Sequence, residues 1–356
     1  MKLGIIGLPQ SGKTTIFNAL TRGNQPITTS GGRFDVHTGV VDVPDVRVDR
    51  LSELYKPKKT IYAKVTYADI AGLEGSASKT GLSGSLLNQL NQGDGFVQVV
   101  RCFGNEIVPH PAGSIDAQRD LASMEAELLI NDLLAVERKL ERLADERRKG
   151  GGRDKAIIDK EIALFEHLNN VLSKEIPLRD EEFSLEEEKL LVGYGLLTRK
   201  PMLVVLNLAE GQQAPEIQYL HKKSAMVALQ GKLEMEIAQL PPDEAGLFLA
   251  EYEIDEPGLY RVIKHSYDIM GLQSFFTVGQ EEVHAWTITR GTTAHEAAGT
   301  VHTDLQKGFI RAEVINWEEL IALGGLSEAR NKGKLRLEGK EYIVQDGEIV
   351  HIRFNV

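Results

Sequence analysis

Only one cysteine, Cys102, occurs in 356 residues. That excludes an intrachain disulfide and a cysteine-built metal cluster, and a reduced thiol in the cytoplasm is expected. No apolar run is long enough to span a bilayer, so no membrane partner is expected. The first apolar run starts at residue 2, which leaves no room for a signal peptide. Positive charge is also short: 41 Lys and Arg stand against 52 Asp and Glu, a formal net charge of −11. This argues against nucleic-acid coating and sequence-specific DNA binding, and confines any RNA contact to a local patch. What is present is ordinary globular material, 42% hydrophobic and 26% charged, enough for two or three domains.

The strongest local signal is Gly7-Leu8-Pro9-Gln10-Ser11-Gly12-Lys13-Thr14-Thr15. It satisfies the phosphate-loop pattern G-x-x-x-x-G-K-[ST]. Its glycines allow a tight turn that Pro9 helps to shape, and whose backbone N–H groups, from Gln10-Ser11 through Thr15, surround phosphate oxygens. Lys13 would reach the β- and γ-phosphates as a catalytic cation, and the Thr14 hydroxyl would ligate Mg²⁺. Lys2–Ile6 reads as a buried strand before the loop, and a helix follows from Thr15, aiming its dipole at the phosphates.

Residues 23–43 read as a mobile loop leading into a strand, where a γ-phosphate sensor belongs. Thr28, Thr29 and Thr38 are the candidate hydroxyls, and the sequence does not choose among them. A second strand ends in Asp69-Ile70-Ala71-Gly72. There Asp69 would hold Mg²⁺ and the Gly72 N–H would meet the γ-phosphate. The next residue, Leu73, stands where small GTPases carry a water-orienting glutamine, so hydrolysis would need another group. Residues 74–84 read as a further mobile loop. Phe96–Val100 is the next buried strand, and His110 follows it in a loop between two prolines.

From about residue 116 the pattern changes to long helices. Leu129, Leu133, Val136, Leu140 and Leu143 form a heptad seam, Gly150–Gly152 a turn, and Ile158, Ile162, Phe165, Leu168 and Leu172 a returning face. This predicts an antiparallel helical hairpin with a basic tip, inserted at about 116–200. Pro201–Leu206 is a continuous apolar run, read as a parallel-sheet strand, ending in Asn207-Leu208-Ala209-Glu210. Guanine-specific proteins carry N-K-x-D at that place, and no N-K-x-D occurs in the chain. An Asn amide can pair with adenine N6 and N7, so Asn207, Leu208 and Glu210 favour ATP over GTP, with GTP left open. Beyond Gly271 short strands alternate with helical pieces and close on a hairpin across Asp346-Gly347, a small α+β domain. The stretch Arg330–Lys340 is basic, a possible RNA contact.

Taken together these motifs resemble the Obg-like ATPases, the YchF group of phosphate-loop proteins. The resemblance rests on Gly7–Leu20, Val43-Pro44-Asp45, Asp69–Leu73, Val100-Arg101-Cys102-Phe103 and Asn207–Glu210. It continues through Phe275-Phe276-Thr277, Ala285–Ile288, Gly299–Asp304, Lys307–Ile310, Ala312-Glu313-Val314 and the final hairpin. It implies an α/β fold: a P-loop NTPase (G-domain) sheet over 1–272 carrying the helical hairpin, and a C-terminal TGS-type β-grasp domain over 273–356. It also implies adenine preference, slow hydrolysis without the switch glutamine, and association with the ribosome or ribosomal RNA. His110 falls where the family has its catalytic histidine, nine residues after the arginine of R-C-F. The chain departs from the family at Gln10-Ser11, usually Asn-Val, and at Arg33, which replaces the usual switch threonine. Two other readings stay open, a translation-type GTPase and a nucleotide-gated RNA- or ribosome-binding protein that hydrolyses nothing.

Overall fold

The computed structural model describes residues 1–25, 36–70, 82, 84–150, 152–251 and 256–355. In chain order the first elements are β1 (Lys2–Ile6), α1 (Lys13–Thr21), β2 (Val36–Asp42), α2 (Val46–Tyr55), β3 (Lys59–Ile61), β4 (Lys64–Ile70), α3 (Gly84–Asn91) and β5 (Gly95–Arg101). Then come α4 (Ala117–Lys149), α5 (Lys155–Leu172), α6 (Leu185–Leu191), β6 (Met202–Asn207), β7 (Ser224–Leu229), α7 (Gly231–Gln239), α8 (Pro242–Glu251) and α9 (Gly258–Ile269). The last are β8 (Leu272–Val278), β9 (Glu282–Thr289), α10 (Ala294–Val301), α11 (Thr303–Lys307), β10 (Phe309–Asn316), α12 (Trp317–Leu323), α13 (Leu326–Asn331), β11 (Arg336–Glu338) and β12 (Glu348–Phe354). Among the described residues no helix is long and apolar enough to cross a membrane.

The chain divides into two compact units, Met1–Gly39 with Thr66–Val262, and Val40–Val65 with Ile263–Val356. The first is built on a six-stranded sheet ordered β2-β4-β1-β5-β6-β7. Strand β1 runs parallel to β4 on one side and to β5 on the other, and β5, β6 and β7 continue parallel. The chain direction therefore switches beside β1, and ligands of open α/β sheets sit beyond the strand ends at such a point. The apolar runs are buried on both faces: β5 and β6 contain no exposed residue.

The helical hairpin forms as the seam predicts. Helix α4 is 33 residues long; Asp116 caps its start, and Gly150, at φ 67, ends it. Leu129, Val136 and Leu143 of α4 bury against Ile158, Phe165, Leu168 and Leu172 of α5 in one apolar cluster. Asp132 ties the hairpin to the 3-10 turn, Leu197–Arg199, that leads into β6. It accepts the N–H groups of Leu197 and Thr198 and the Thr198 hydroxyl at 2.7–2.9 Å, and burial still pushes it up to about 6. The basic tip is laced with ion pairs, Arg147 to Asp159, Arg148 to Asp145 and Arg153 to Glu146.

The second unit has the sheet β11-β10-β12-β8-β9-β3. A β8–β9 hairpin, helix α10 and β10 are followed by β12, which inserts between β10 (antiparallel) and β8 (parallel). That is a β-grasp. Two features differ from the sequence reading. Residues 40–65, assigned by sequence to the nucleotide domain, pack here: β3 adds to the sheet beside β9, and Arg47 of α2 bonds Asp346 at 2.7 Å and lies over the Phe276 ring. The hairpin expected across Asp346-Gly347 does not form, because β12 pairs with β10 and β8. Tyr342-Ile343-Val344 crosses to α10 instead, with Ile343 bridging Thr293 and Val344 buried in the core. The basic stretch is paired as well, Arg330 with Glu313 and Arg336 with Glu348.

Candidate nucleotide site

The phosphate loop joins β1 to α1. Gly7 has φ 151, and a Cβ there would lie 2.4 Å from the Val99 carbonyl oxygen. Gly12 has φ 96, and its Cβ would lie 2.2 Å from Asn207 Nδ2. Neither position admits a side chain, so the two motif glycines are required by contact as well as by backbone. Gln10 also takes the left-handed region, at φ 61, without being glycine. Lys13 folds back over the loop and donates to the carbonyls of Gly7 and Leu8, each at 3.0 Å. Thr14 donates its hydroxyl to Asp69 Oδ2 at 2.8 Å. The strand end and the loop end therefore bring one hydroxyl and one carboxylate together. Burial raises Asp69 above the usual carboxylate range, against the Thr14 hydrogen bond and the charges of Lys13 and His37. These two hard oxygen donors suit Mg²⁺, which takes few protein ligands and completes its shell with water and phosphate. Among the described residues no cluster of three or more His, Cys, Asp or Glu side chains could hold a metal alone.

Asn207 is buried, and its amide is in use at both ends. Nδ2 donates to the Ser11 carbonyl at 3.0 Å, and Oδ1 accepts the Gly231 N–H at 3.1 Å. It thus ties the phosphate loop to β6 and to the start of α7. Leu208 packs into the apolar cluster under the sheet, and Glu210 is exposed. Gln212 fixes the turn between them. Its Oε1 accepts the Ala209 N–H and its Nε2 donates to the Cys102 carbonyl.

His110, in the loop between two prolines, is 4% exposed at the side chain. Its Nε2 lies 2.8 Å from Oδ2 of Asp120, itself 5% exposed, and its Nδ1 accepts the Ala112 N–H at 3.1 Å. A buried slot is lined by Leu8, Pro9 and Ser11 of the phosphate loop together with Arg101, His110 and Asp120. Arg101 organises the loop that carries the histidine: Nε donates to Phe103 O, and Nη2 to Val108 O at 2.7 Å. Arg119 holds the other oxygen of Asp120 at 2.7 Å.

Gly7, Pro9, Ser11, Gly12, Lys13, Thr14, Asp69, His110 and Asn207 are thus gathered around the end of β1. Gln10 is at the exposed crest of the loop and Thr15 is half-buried in α1. Gly72 and Leu73, with Thr28, Thr29 and Arg33, lie outside the described residues, and Thr38 is exposed in β2. Sequence reasoning missed Asp120, Gln212 and the structural part of Arg101. Asp120 looks like any first-turn acid of a helix, and no spacing rule singles it out.

Comparison with known proteins agrees with this geometry. Residues 2–137 match a family model described as "50S ribosome-binding GTPase", and residues 272–355 match the YchF GTPase C-terminal model, described as a "protein of unknown function". The chain is 39% identical to the "Ribosome-binding ATPase YchF" of Bacillus subtilis (strain 168), with 99% of each covered. It is 40% identical to the protein of that name from Pasteurella multocida (strain Pm70), over 100% of this chain and 99% of the relative. The solved structure of the Schizosaccharomyces pombe YchF GTPase superposes with a TM-score of 0.83 at 30% identity, covering 99% of this chain and 97% of that one. With matches that run the full length of both chains, this protein belongs to the YchF family.

Proposed function

We propose that this protein is a Mg²⁺-dependent ATP hydrolase that acts as a nucleotide switch on the ribosome, in the cytoplasm. The observation that carries adenine preference is the Asn207–Gln212 turn. Asn207 is spent on holding the phosphate loop, an apolar Leu208 replaces the guanine-motif lysine, and Glu210 replaces its aspartate. No carboxylate is thereby set at the reach that guanine N1–H and its amino group require. The names of the bacterial relatives point the same way for both nucleotide and ribosome.

Thr14 and Asp69 would hold Mg²⁺, which when bound neutralises charge on the β- and γ-phosphates. Lys13 leaves the Gly7 and Leu8 carbonyls to meet the same phosphates, and the loop's N–H groups take the remaining oxygens. His110 serves the hydrolytic step in place of the missing glutamine, supported by the slot it shares with Leu8, Pro9 and Ser11. Calorimetric titration of ATP and GTP in Mg²⁺ tests the nucleotide: tighter ATP is expected, and a clear GTP preference overturns the reading of Asn207–Glu210. Phosphate release with and without ribosomes tests the switch. The second reading, a GTPase, is favoured by the description of the family model over residues 2–137.

A further inference from the structure

Both ring nitrogens of His110 are engaged, by opposite kinds of partner. The Ala112 N–H donates to Nδ1, so Nδ1 presents a lone pair and carries no proton. A neutral imidazole with a bare Nδ1 is protonated on Nε2, and Nε2 faces the acceptor Asp120 Oδ2. The two bonds differ in reach. The one to Ala112 belongs to a local turn that also joins the Gly113 N–H to the His110 carbonyl at 2.9 Å, with Gly113 at φ 77. It travels with the histidine. The one to Asp120 crosses to α4 and can be left behind.

We infer that His110 acts through its Nε2–H as a hydrogen-bond donor to an anionic oxygen of the terminal phosphate, and that Asp120 is the positioning residue holding the same N–H when no phosphate is present. The inference rests on the hydrolase reading above. A carboxylate oxygen and a phosphate oxygen call for the same charge-assisted donor, and a neutral imidazole used as a donor is established enzyme chemistry. The nitrogen a general base would need is closed by the turn. In the transfer, the water oxygen bonds to phosphorus, the bond to the leaving diphosphate breaks, and the water's proton passes to a phosphate oxygen or to solvent. None passes to His110. The slot supports the exchange, because Ser11 Oγ and Arg101 Nη1 are buried there with no hydrogen-bond partner among the described residues. These are two further donors lining the slot.

The charged groups facing His110 are Asp120 and Arg119 from α4 and Arg101 from β5. Neighbouring Cys102 is pushed up to about 11 by burial, so it is silent at neutral pH. The test measures kcat for ATP by the full chain in Mg²⁺ between about pH 5.5 and 8, divided at each pH by that of His110→Ala. Titration of Asp69 cancels in this ratio. A donor keeps its N–H when the ring protonates, so the ratio is expected to hold or rise toward acid. A base loses its lone pair, and a ratio falling about tenfold per pH unit on the acid side overturns the inference while leaving the hydrolase reading intact. Turnover by His110→Ala equal to that of the unaltered protein removes the histidine's role and the inference together. His110→Gln, which can place an N–H near the same point, is expected to retain more turnover than His110→Ala. Equal loss in both opposes the inference.

The role of Asp120 has its own readout, ¹⁵N-histidine NMR of the nucleotide-free protein against the ADP–beryllium fluoride–Mg²⁺ complex. The Nε2–H signal of His110, identified by its disappearance in His110→Gln, is expected to move while Nδ1 stays unprotonated. An unchanged Nε2–H signal overturns the exchange with Asp120.

Discussion

Two buried carboxylates flank the phosphate loop, and they are held differently. Asp69 and Asp120 are both about 5% exposed, and each accepts one 2.8 Å hydrogen bond from a functional side chain, the Thr14 hydroxyl or the His110 imidazole. Asp69 accepts the neutral Thr14 hydroxyl and feels the charges of Lys13 and His37, and burial still leaves it reluctant to ionise. Asp120 also holds the guanidinium of Arg119. The first stands beside a hydroxyl with which it can share a hard cation, and the second is bonded to a guanidinium. A buried carboxylate beside a hydroxyl suits Mg²⁺, whereas one bonded to arginine suits the holding of another side chain.

The largest expected effect separates the two. Asp69→Asn should lower Mg²⁺-dependent turnover by about 10²–10³-fold, read as phosphate release. The same change should stabilise the metal-free protein at neutral pH. The sign follows from its raised pKa: the folded state prefers the protonated acid, so stability is greatest at low pH. It declines as pH rises from the ordinary carboxylate range through the raised value. Thermal unfolding in a chelator across that window should show the decline in the unaltered protein and a flatter profile in Asp69→Asn. The opposite result is expected at the other carboxylate. Asp120→Ala leaves the buried His110 Nε2–H without its acceptor, while Arg119 keeps Ser114, and should cost about 1–3 kcal/mol, measured by urea unfolding. Equal behaviour of the two variants would erase the distinction.

Asn207→Ala leaves the Ser11 carbonyl and the Gly231 N–H unpaired and should cost about 1–3 kcal/mol, with weaker nucleotide affinity by calorimetry. The smallest effect is expected at the loop's crest. Gln10→Gly relieves a left-handed side chain at some cost in chain entropy, for a net gain of about 0.5 kcal/mol in thermal unfolding.

The same pair of carboxylates marks how much of the site was legible in the sequence. Asp69 announces itself because strand, aspartate and loop glycine follow one another along the chain. Asp120 belongs to a site made by folding: it reaches His110 only because α4 starts beside the loop that Arg101 pins. The sheet strands and the helical hairpin were readable from apolar runs and the heptad seam, since local pattern alone decides them. The chain's last strand, Glu348–Phe354, was readable as a strand, but its pairing was not. Residues 341–354 carry a good hairpin pattern, and only the tertiary demand of the β10 and β8 edges draws β12 away from it. Similarly, nothing in residues 59–61 announces that β3 completes the second sheet.

Leu208 also bears on the changes open to this chain. Its side chain is 8% exposed and sits among Leu206, Cys102 and the apolar face of α4. Placing a lysine at that single position would drive an ammonium into hydrocarbon, at a cost of several kcal/mol. The pinned Asn207–Gln212 turn leaves little slack to carry the charge outward. A change to the guanine motif would need the packing under the turn to change first, so burial at 208 itself opposes a guanine-reading lysine there.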